Sequence, residues 1–148
     1  MKISGRYSFP GPTKQVWDLL TDIKALQHCT PGCKEMAEIG PDEYKATMEI
    51  GVGPINGSFS GKIRMVDKEE PNRYKLHVEG SGAVGFVKGE GLLELQEEEA
   101  EKTAVLVSGE AQVGGLVAGV GQRLLEGVSK QFMGQFFKCM ANQLAERK

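Results

Sequence analysis

Residues 115–144 read GLVAGVGQRLLEGVSKQFMGQFFKCMANQL, and this stretch decides how the rest of the chain must be arranged. Its large apolar side chains recur at steps of three and four residues, the spacing that aligns side chains on one face of an α-helix. They are Val120, Leu124, Leu125, Val128, Phe132, Phe136, Met140 and Leu144. A helix of this length runs roughly 40 Å, the diameter of a small domain. We therefore predict one long C-terminal helix over residues 115–144, against which the remaining elements pack.

Glycines interrupt the predicted helix at Gly119, Gly121, Gly127 and Gly134. Each glycine in a helix interior costs up to about 1 kcal/mol relative to alanine, so their presence needs a reason. The usual reason is close approach of another backbone. The alternative is space beside the helix for a molecule that is not protein. From composition alone we favour close backbone approach by about two to one, because a glycine in a helix usually has a packing reason.

Length and charge restrict the class of protein. A chain of 148 residues fits a single domain, here residues 1–148, with one sizeable core. The formal net charge of −2 gives no basic excess, so we do not expect a nucleic-acid partner. No apolar run reaches the ~18 residues that cross a bilayer, and the first residues lack an apolar signal segment. We expect a cytoplasmic domain with reduced cysteines, because Cys29, Cys33 and Cys139 do not suggest a disulfide framework.

The first hundred or so residues follow the pattern of strands and turns. Residues 2–9 alternate apolar and polar side chains, as a strand with one buried face does. Two short helices follow, one after Thr13 and one around residues 23–28. Between residue 33 and residue 113, about six apolar-alternating segments are separated by short Gly, Pro and Asn turns, which indicates an antiparallel meander.

The predicted fold class is α+β. A twisted antiparallel sheet of about seven strands needs a cover over its apolar face, and only the C-terminal helix is long enough. A curved sheet wrapped around that helix, with the two short helices closing one end, is a helix-grip fold. Its usual hollow lies between sheet and helix, where small-molecule sites are largely apolar.

A hydrophobic ligand in that hollow would contact inward strand residues and the near face of the helix. The predicted ligand-binding residues are Met48, Ile50, Phe59, Ile63, Leu76, Val78, Phe86, Leu116, Val120, Leu124, Val128, Phe132 and Phe136. Taken singly, each is more often ordinary core. Taken together with the many glycines of helix and sheet, they favour a hollow, since a tightly packed interior would fill such gaps.

Few residues suggest chemistry. His28 and His77 lie far apart and no partner for general-base catalysis is evident, so we predict no catalytic residues. Cys29 and Cys33 flank a Pro-Gly turn without the further ligands of a metal site, so we predict structural thiols and no metal. A redox role for this pair stays open. Arg123 could form a salt bridge with a strand carboxylate such as Glu90, or anchor a polar ligand head.

Several motifs together resemble the family of carbon monoxide dehydrogenase G subunits. They are VWDLL at 16–20, CTPGC at 29–33, VGPINGSFSG at 52–61, GSG at 80–82, GEG at 89–91, VGGLVA at 113–118, GQRLL at 121–125 and the Phe pair at 136–137. The resemblance covers nearly the whole chain. It implies the helix-grip fold of the SRPBCC superfamily, which includes lipid-transfer START domains and birch-pollen allergens.

The resemblance also implies a function. Family members accompany molybdenum hydroxylases of the carbon monoxide dehydrogenase type, are linked to placing that enzyme at the membrane, and bind a quinone. Because Lys148 follows the helix directly, we expect no C-terminal membrane tail here and a soluble carrier instead. The expectation is a non-enzymatic protein that binds a quinone or fatty acid, with no covalent cofactor.

Two other functions remain open. The chain could be an assembly or membrane-recruitment protein for the hydroxylase without an essential ligand, or a small hydrolase or cyclase that uses the cavity. Apolar residues such as Val52 and Ile55 near the expected entrance suggest transient contact with a membrane surface. The sequence does not specify the oligomeric state.

Overall fold

The computed structural model describes residues 1–52 and 55–147, with the side chains of Val52 and Ile55 outside the description. Its strands are β1 (Lys2–Phe9), β2 (Cys33–Gly40), β3 (Glu43–Val52), β4 (Ile55–Glu69), β5 (Arg73–Gly82), β6 (Gly85–Glu99) and β7 (Lys102–Gly114). Its α-helices are α1 (Thr13–Leu20), α2 (Ile23–Cys29) and α3 (Gln122–Glu146). A 3-10 helix (Gly115–Val120) joins β7 to α3.

The strands form one antiparallel sheet in the order β1-β7-β6-β5-β4-β3-β2. All strands from β2 to β7 are therefore joined to their chain neighbours by hairpins, and β1 pairs beside β7. The two short helices follow β1 and the long helix ends the chain. This architecture confirms the predicted fold class, a helix-grip arrangement of seven strands with a long C-terminal helix.

The long helix begins later than the sequence predicts. Residues Gly115–Val120 form a 3-10 helix, and α3 starts only at Gln122. Gly115 (φ 76°) and Gly121 (φ 98°) take left-handed backbone angles that end regular α-helical geometry at each side of this segment. The prediction of one continuous helix over residues 115–144 is therefore wrong for its first seven residues.

Buried side chains form two separate clusters. The larger one unites α1, α2 and the C-terminal half of α3 with the sheet. Phe137 stands at its centre, with its ring stacked on Tyr7 at 4.2 Å between centroids and edge-on to Phe9 at 6.2 Å. The smaller cluster contains Phe59, Val117 and Leu125 and lies under the 3-10 helix. The N-terminal half of α3 thus spans the distance between two packed regions.

Cys29 at the end of α2 is bonded to Cys139 in α3. The two residues are 110 positions apart in the chain, and their Cα atoms lie 5.4 Å apart. The expectation of three reduced thiols is therefore wrong for this structure. Cys33 remains a free thiol, so the pairing considered between Cys29 and Cys33 does not occur.

Asp22 links the start of α2 to the end of the chain. Its carboxylate accepts a hydrogen bond from the Lys24 amide, which caps α2, and forms an ion pair with Arg147. Burial acts to raise the pKa of Asp22, but the Arg147 guanidinium and the Lys24 amide outweigh it, and the pKa lies below its usual value of 3.8.

Asp22→Asn should therefore destabilise the protein in a pH-dependent way. Because the folded-state pKa is depressed, the contribution is complete above the unfolded pKa near 4 and disappears as the pH falls through the folded value. We expect a loss of about 0.5–1 kcal/mol at pH 7, typical of a partly exposed ion pair, and a smaller loss at pH 2.5. Urea titrations of both proteins at the two pH values measure this, and an equal loss at both would contradict the assignment.

Candidate functional site

The inner face of the sheet, which α3 covers, carries a band of glycines. In the strand register Gly61 lies opposite Gly80, and Gly91 opposite Gly109. Gly89 lies beside Val78 in the next row. These positions alternate with exposed charged residues along each strand, so they face inward. These glycines therefore form a strip with few side chains across the middle of the inner face, which we call the glycine strip.

The helix does not fill the space above this strip. A methyl group placed on Gly91 would meet only the Ser108 carbonyl oxygen, at 3.5 Å. A methyl group on Gly80 would meet only the Ser60 oxygen at 3.7 Å and the Gly61 Cα at 3.9 Å. Both neighbours are the backbone of adjacent strands. Within the described residues, no atom of α3 lies within 4 Å of either position, so a gap separates the middle of the sheet from the helix.

The helix glycines do not mark close backbone approach. Within the described ranges, nothing lies within 4 Å of a methyl group placed on Gly119, Gly121, Gly127 or Gly134. The interpretation that composition favoured is therefore wrong for all four. Gly119, Gly121 and Gly127 are exposed, so much of the space beside them is open to solvent.

The predicted ligand-binding residues fall into three groups by burial. Phe59 is buried in the smaller cluster. Eight are half-buried: Met48, Ile50, Ile63, Leu76, Val120, Val128, Phe132 and Phe136. Four are exposed: Val78, Leu124, Phe86 and Leu116.

Burial and packing single out three of these residues, which we assign to the lining of the gap. Val128 and Phe132 are half-buried but pack against neither cluster of buried side chains. Val78 faces inward on β5 yet is 36% exposed, although the equivalent Tyr74 is 3% exposed. An inward valine exposed to this extent indicates that the gap reaches solvent. The lining as a binding site stays a prediction.

Two predicted lining residues lie elsewhere. Phe86 belongs to the outer face of β6 with Lys88 and Glu90, because the inward positions of that strand are Val87, Gly89 and Gly91. Leu116 projects from the 3-10 helix and is 74% exposed. The sequence-based placement of Phe86 on the inner face is wrong, since the tight turn before Gly85 sets the strand register, whereas ligand contact by Leu116 stays a prediction.

The fold does not bring the candidate polar residues, His77 and Arg123, into one site. His77 lies on the outer face, with its Nδ1 3.4 Å from a Glu90 carboxylate oxygen. Arg123 is exposed at the start of α3, and the first of its two alternatives, a salt bridge with Glu90, is absent from the part of the chain that is described, so the role of a polar anchor stays a prediction. No group of three or more potential metal ligands occurs among residues 1–52 and 55–147.

Two open hollows lie at the surface of the described part of the chain, and neither lies between sheet and helix. One, of about 520 Å³, is bordered by Phe9, Pro10 and the 99–102 turn. The other, of about 460 Å³, is bordered by Lys24, Gln27, His28 and Cys33. Burial raises the pKa of the Cys33 thiol, a backbone hydrogen bond with Glu35 offsets this only partly, and a thiol is the less reactive form. This second hollow therefore lacks an activated nucleophile.

Comparison with solved structures defines the class of protein. A START superfamily protein from Mycobacterium smegmatis superimposes with a TM-score of 0.78 over 99% of both chains, at 11% identity. The Zhui aromatase/cyclase from Streptomyces sp. R1128 superimposes with a TM-score of 0.73 over 99% of this chain and 94% of that chain, at 12% identity. At these identities the likeness shows the fold alone, which is that of the START-like helix-grip proteins.

The family is more specific than the fold. The model of the carbon monoxide dehydrogenase G subunit (CoxG) matches residues 5–145, and the chain belongs to this family. A conserved protein from Geobacillus kaustophilus is 37% identical, with a TM-score of 0.96 over 99% of this chain and 96% of that chain. No curated protein matches. Within the described residues, none of the helices is both long and apolar enough to span a membrane.

Proposed function

We propose that this protein binds an apolar small molecule between the sheet and α3, and that it does so as an accessory protein of a carbon monoxide dehydrogenase-type molybdenum hydroxylase. The observation that carries the ligand is the glycine strip, above which the helix leaves a gap next to Gly80 and Gly91. Family membership supports the hydroxylase as the partner.

The chemistry of the gap favours an uncharged, elongated ligand. The inward positions in the middle of β4 to β7 carry no carboxylate, amine, guanidinium or imidazole, and isolated charges are costly to bury. Each methylene group of a lipid or isoprenoid chain buried there contributes about 0.8 kcal/mol. A quinone satisfies these conditions fully, and a fatty acid does so if its carboxylate stays at the solvent-exposed side near Val78.

A second candidate is an enzyme, because an aromatase/cyclase shares this fold. The geometry favours it less, since His28 and His77 are on the surface and outside the gap. An assembly protein that needs no ligand is a third candidate. Extraction of lipids from protein purified from its native host, followed by mass spectrometry, separates the carrier from both, because only the carrier should retain a stoichiometric apolar compound.

Filling the gap should abolish binding without unfolding the protein. Gly91→Leu points a side chain into the gap, and its Cβ meets the Ser108 oxygen at an ordinary contact distance of 3.5 Å. Leucine also lowers the entropic cost that glycine imposes on a strand. We expect at least tenfold weaker binding of decylubiquinone and of oleate in equilibrium dialysis, roughly 1.4 kcal/mol or more, at a Tm no lower than that of wild type.

Gly40→Leu is the matched control. It adds the same side chain at the end of β2, where the Glu43 carboxylate at 3.7 Å is the nearest neighbour of the new Cβ. Binding of both probes should be unchanged in this variant. If wild-type protein binds neither probe and carries no lipid from its host, the carrier function is wrong.

A further inference from the structure

The glycine strip continues to the edge of the sheet at β1. It runs from Gly61 on β4 to Gly109 on β7. On β1, Gly5 lies opposite Val107, which is two residues from Gly109. Residues two apart on a strand face the same side of the sheet, so Gly5 faces inward as well. The line of glycines therefore crosses the sheet from β4 through β5, β6 and β7 to β1.

The phenol group of Tyr7 covers Gly5 on the inner face. A methyl group placed on Gly5 would lie 2.7 Å from the Tyr7 Cε2 atom and 2.8 Å from its Oη atom. The ring also stacks on Phe137 of α3, with 4.2 Å between the centroids and 13° between the ring planes. The side chain therefore leans along β1 toward the start of the chain, and the stack holds it in that direction.

The hydroxyl of Tyr7 lies on the side of the stack where α3 is less well packed. Toward its C-terminus, α3 contacts β1 through the stack of Phe137 on Tyr7. Toward its N-terminus, the Ser129 Oγ atom lies 3.9 Å from the Met1 Sδ atom, so the helix runs parallel to β1. Phe132 lies between these contacts and packs against neither buried cluster. Since the Tyr7 ring leans toward the start of β1, its hydroxyl is directed toward the stretch of helix that we assign to the gap.

The Tyr7 hydroxyl makes no hydrogen bond within residues 1–52 and 55–147. Fully buried polar side-chain atoms in that part of the chain all have partners, as Thr103 does with the Gly11 carbonyl oxygen at 2.8 Å. The unpartnered Tyr7 oxygen is therefore accessible. Burial raises the pKa of Tyr7 above its usual value of 10.0, so the phenol is protonated at neutral pH and can donate a hydrogen bond.

The two other tyrosines of the chain differ from Tyr7 in their surroundings. Tyr44 is 6% exposed and Tyr74 is 3% exposed, and both belong to the larger buried cluster. Tyr74 lies edge-on to Trp17 of α1, with 5.4 Å between ring centroids. Tyr7 is half-buried and only borders that cluster. Of the three phenols, Tyr7 is therefore the one whose hydroxyl a molecule in the gap can reach.

We infer that the Tyr7 hydroxyl donates a hydrogen bond to a carbonyl oxygen at one end of the ligand in the gap. The inference rests on the proposed function and narrows it, because it places the polar end of the ligand at β1 and the apolar chain along the glycine strip. A neutral donor suits a neutral acceptor, so the ligand need not carry a charge into the gap. A hydrocarbon without an acceptor leaves the hydroxyl unpartnered, and it gains nothing from Tyr7.

Tyr7→Phe tests the hydrogen bond, because it removes only the hydroxyl and keeps the ring that stacks on Phe137. Decylubiquinone should bind this variant about fivefold more weakly in equilibrium dialysis, the size expected for one neutral hydrogen bond. Decylbenzene, which carries the same chain on a ring without oxygen atoms, should bind the variant and wild type equally. Tyr74→Phe is the matched control, since it makes the same change beneath α1, and it should alter neither affinity. The Tm of Tyr7→Phe should equal that of wild type, because the hydroxyl has no protein partner among the described residues.

The possible results separate this inference from the proposed function. Equal binding of decylubiquinone by wild type and Tyr7→Phe would overturn the inference and leave the carrier function standing. An equal loss for both probes, or the same loss in Tyr74→Phe, would show that the effect is not that of a hydrogen bond to the ligand. A lower Tm in Tyr7→Phe would show that the hydroxyl is bonded within the protein, and the inference would again be wrong. If wild type binds neither probe, the carrier function and the inference are both wrong.

Discussion

Cys139→Ser is expected to lower the free energy of unfolding by about 2–5 kcal/mol under non-reducing conditions. The bond between Cys29 and Cys139 closes a loop of 110 residues that contains most of the sheet. A cross-link of this span removes a large part of the conformational freedom of the unfolded chain. It also ties α2 to α3 at the edge of the larger buried cluster, where Cys29 is 4% exposed.

Urea denaturation of wild type and Cys139→Ser measures this effect, and Cys33→Ser is the control. Cys33 is a half-buried free thiol, so its replacement should change stability by no more than about 1 kcal/mol. Dithiothreitol should lower the stability of wild type toward that of Cys139→Ser and leave the variant unaffected. Three alkylatable thiols in unreduced wild-type protein, together with equal stability of both variants, would show that the bond does not form in solution.

The disulfide illustrates what the sequence could not supply. Local patterns carry information over a few residues, whereas the approach of Cys29 to Cys139 depends on how α3 crosses the end of the sheet. The tertiary structure was therefore needed to identify Cys139 as the partner of Cys29. The odd number of cysteines argued against a disulfide framework, but an odd number does not exclude a bond between two of the three cysteines.

The fold itself was predictable because its signals are periodic. Two-residue alternation identified the inward faces of β3, β4 and β5, and three- and four-residue steps identified α3. The prediction for Phe86 was wrong because turn geometry sets the strand register, and a shift of one residue moves every side chain of the strand to the other face. The predicted start of the helix was wrong because the sequence does not reveal which of its glycines take a positive φ. In the structure these are Gly115 and Gly121.

The candidate site was predictable in outline only. Sequence reasoning linked the sheet glycines to empty space, and Gly80 and Gly91 do border a gap. Sequence reasoning did not show that Gly119, Gly121 and Gly127 are exposed to solvent. Helical periodicity gives the direction in which a position faces around the helix axis, but not its distance from the protein surface.

Phe137→Ala should cost about 3–5 kcal/mol of unfolding free energy, whereas Phe132→Ala on the same helix should cost about 1 kcal/mol or less. Phe137 is 5% exposed and contacts the rings of Tyr7, Phe9 and Phe136. Its removal leaves a cavity in close-packed surroundings and cuts the main contact between α3 and β1. Phe132 is half-buried beside the gap and packs against neither buried cluster, so its truncation enlarges existing space.

Comparison of the two variants isolates the effect of packing, because both substitutions remove a phenyl ring from the same helix, at positions five residues apart. Thermal and urea unfolding give the two losses, and the difference between them measures how unequally α3 is supported along its length. Equal losses above about 3 kcal/mol would mean that Phe132 is embedded as firmly as Phe137, and the gap would then have to be closed in solution. A large difference, with weaker decylubiquinone binding in Phe132→Ala alone, would locate the ligand at the less supported half of the helix.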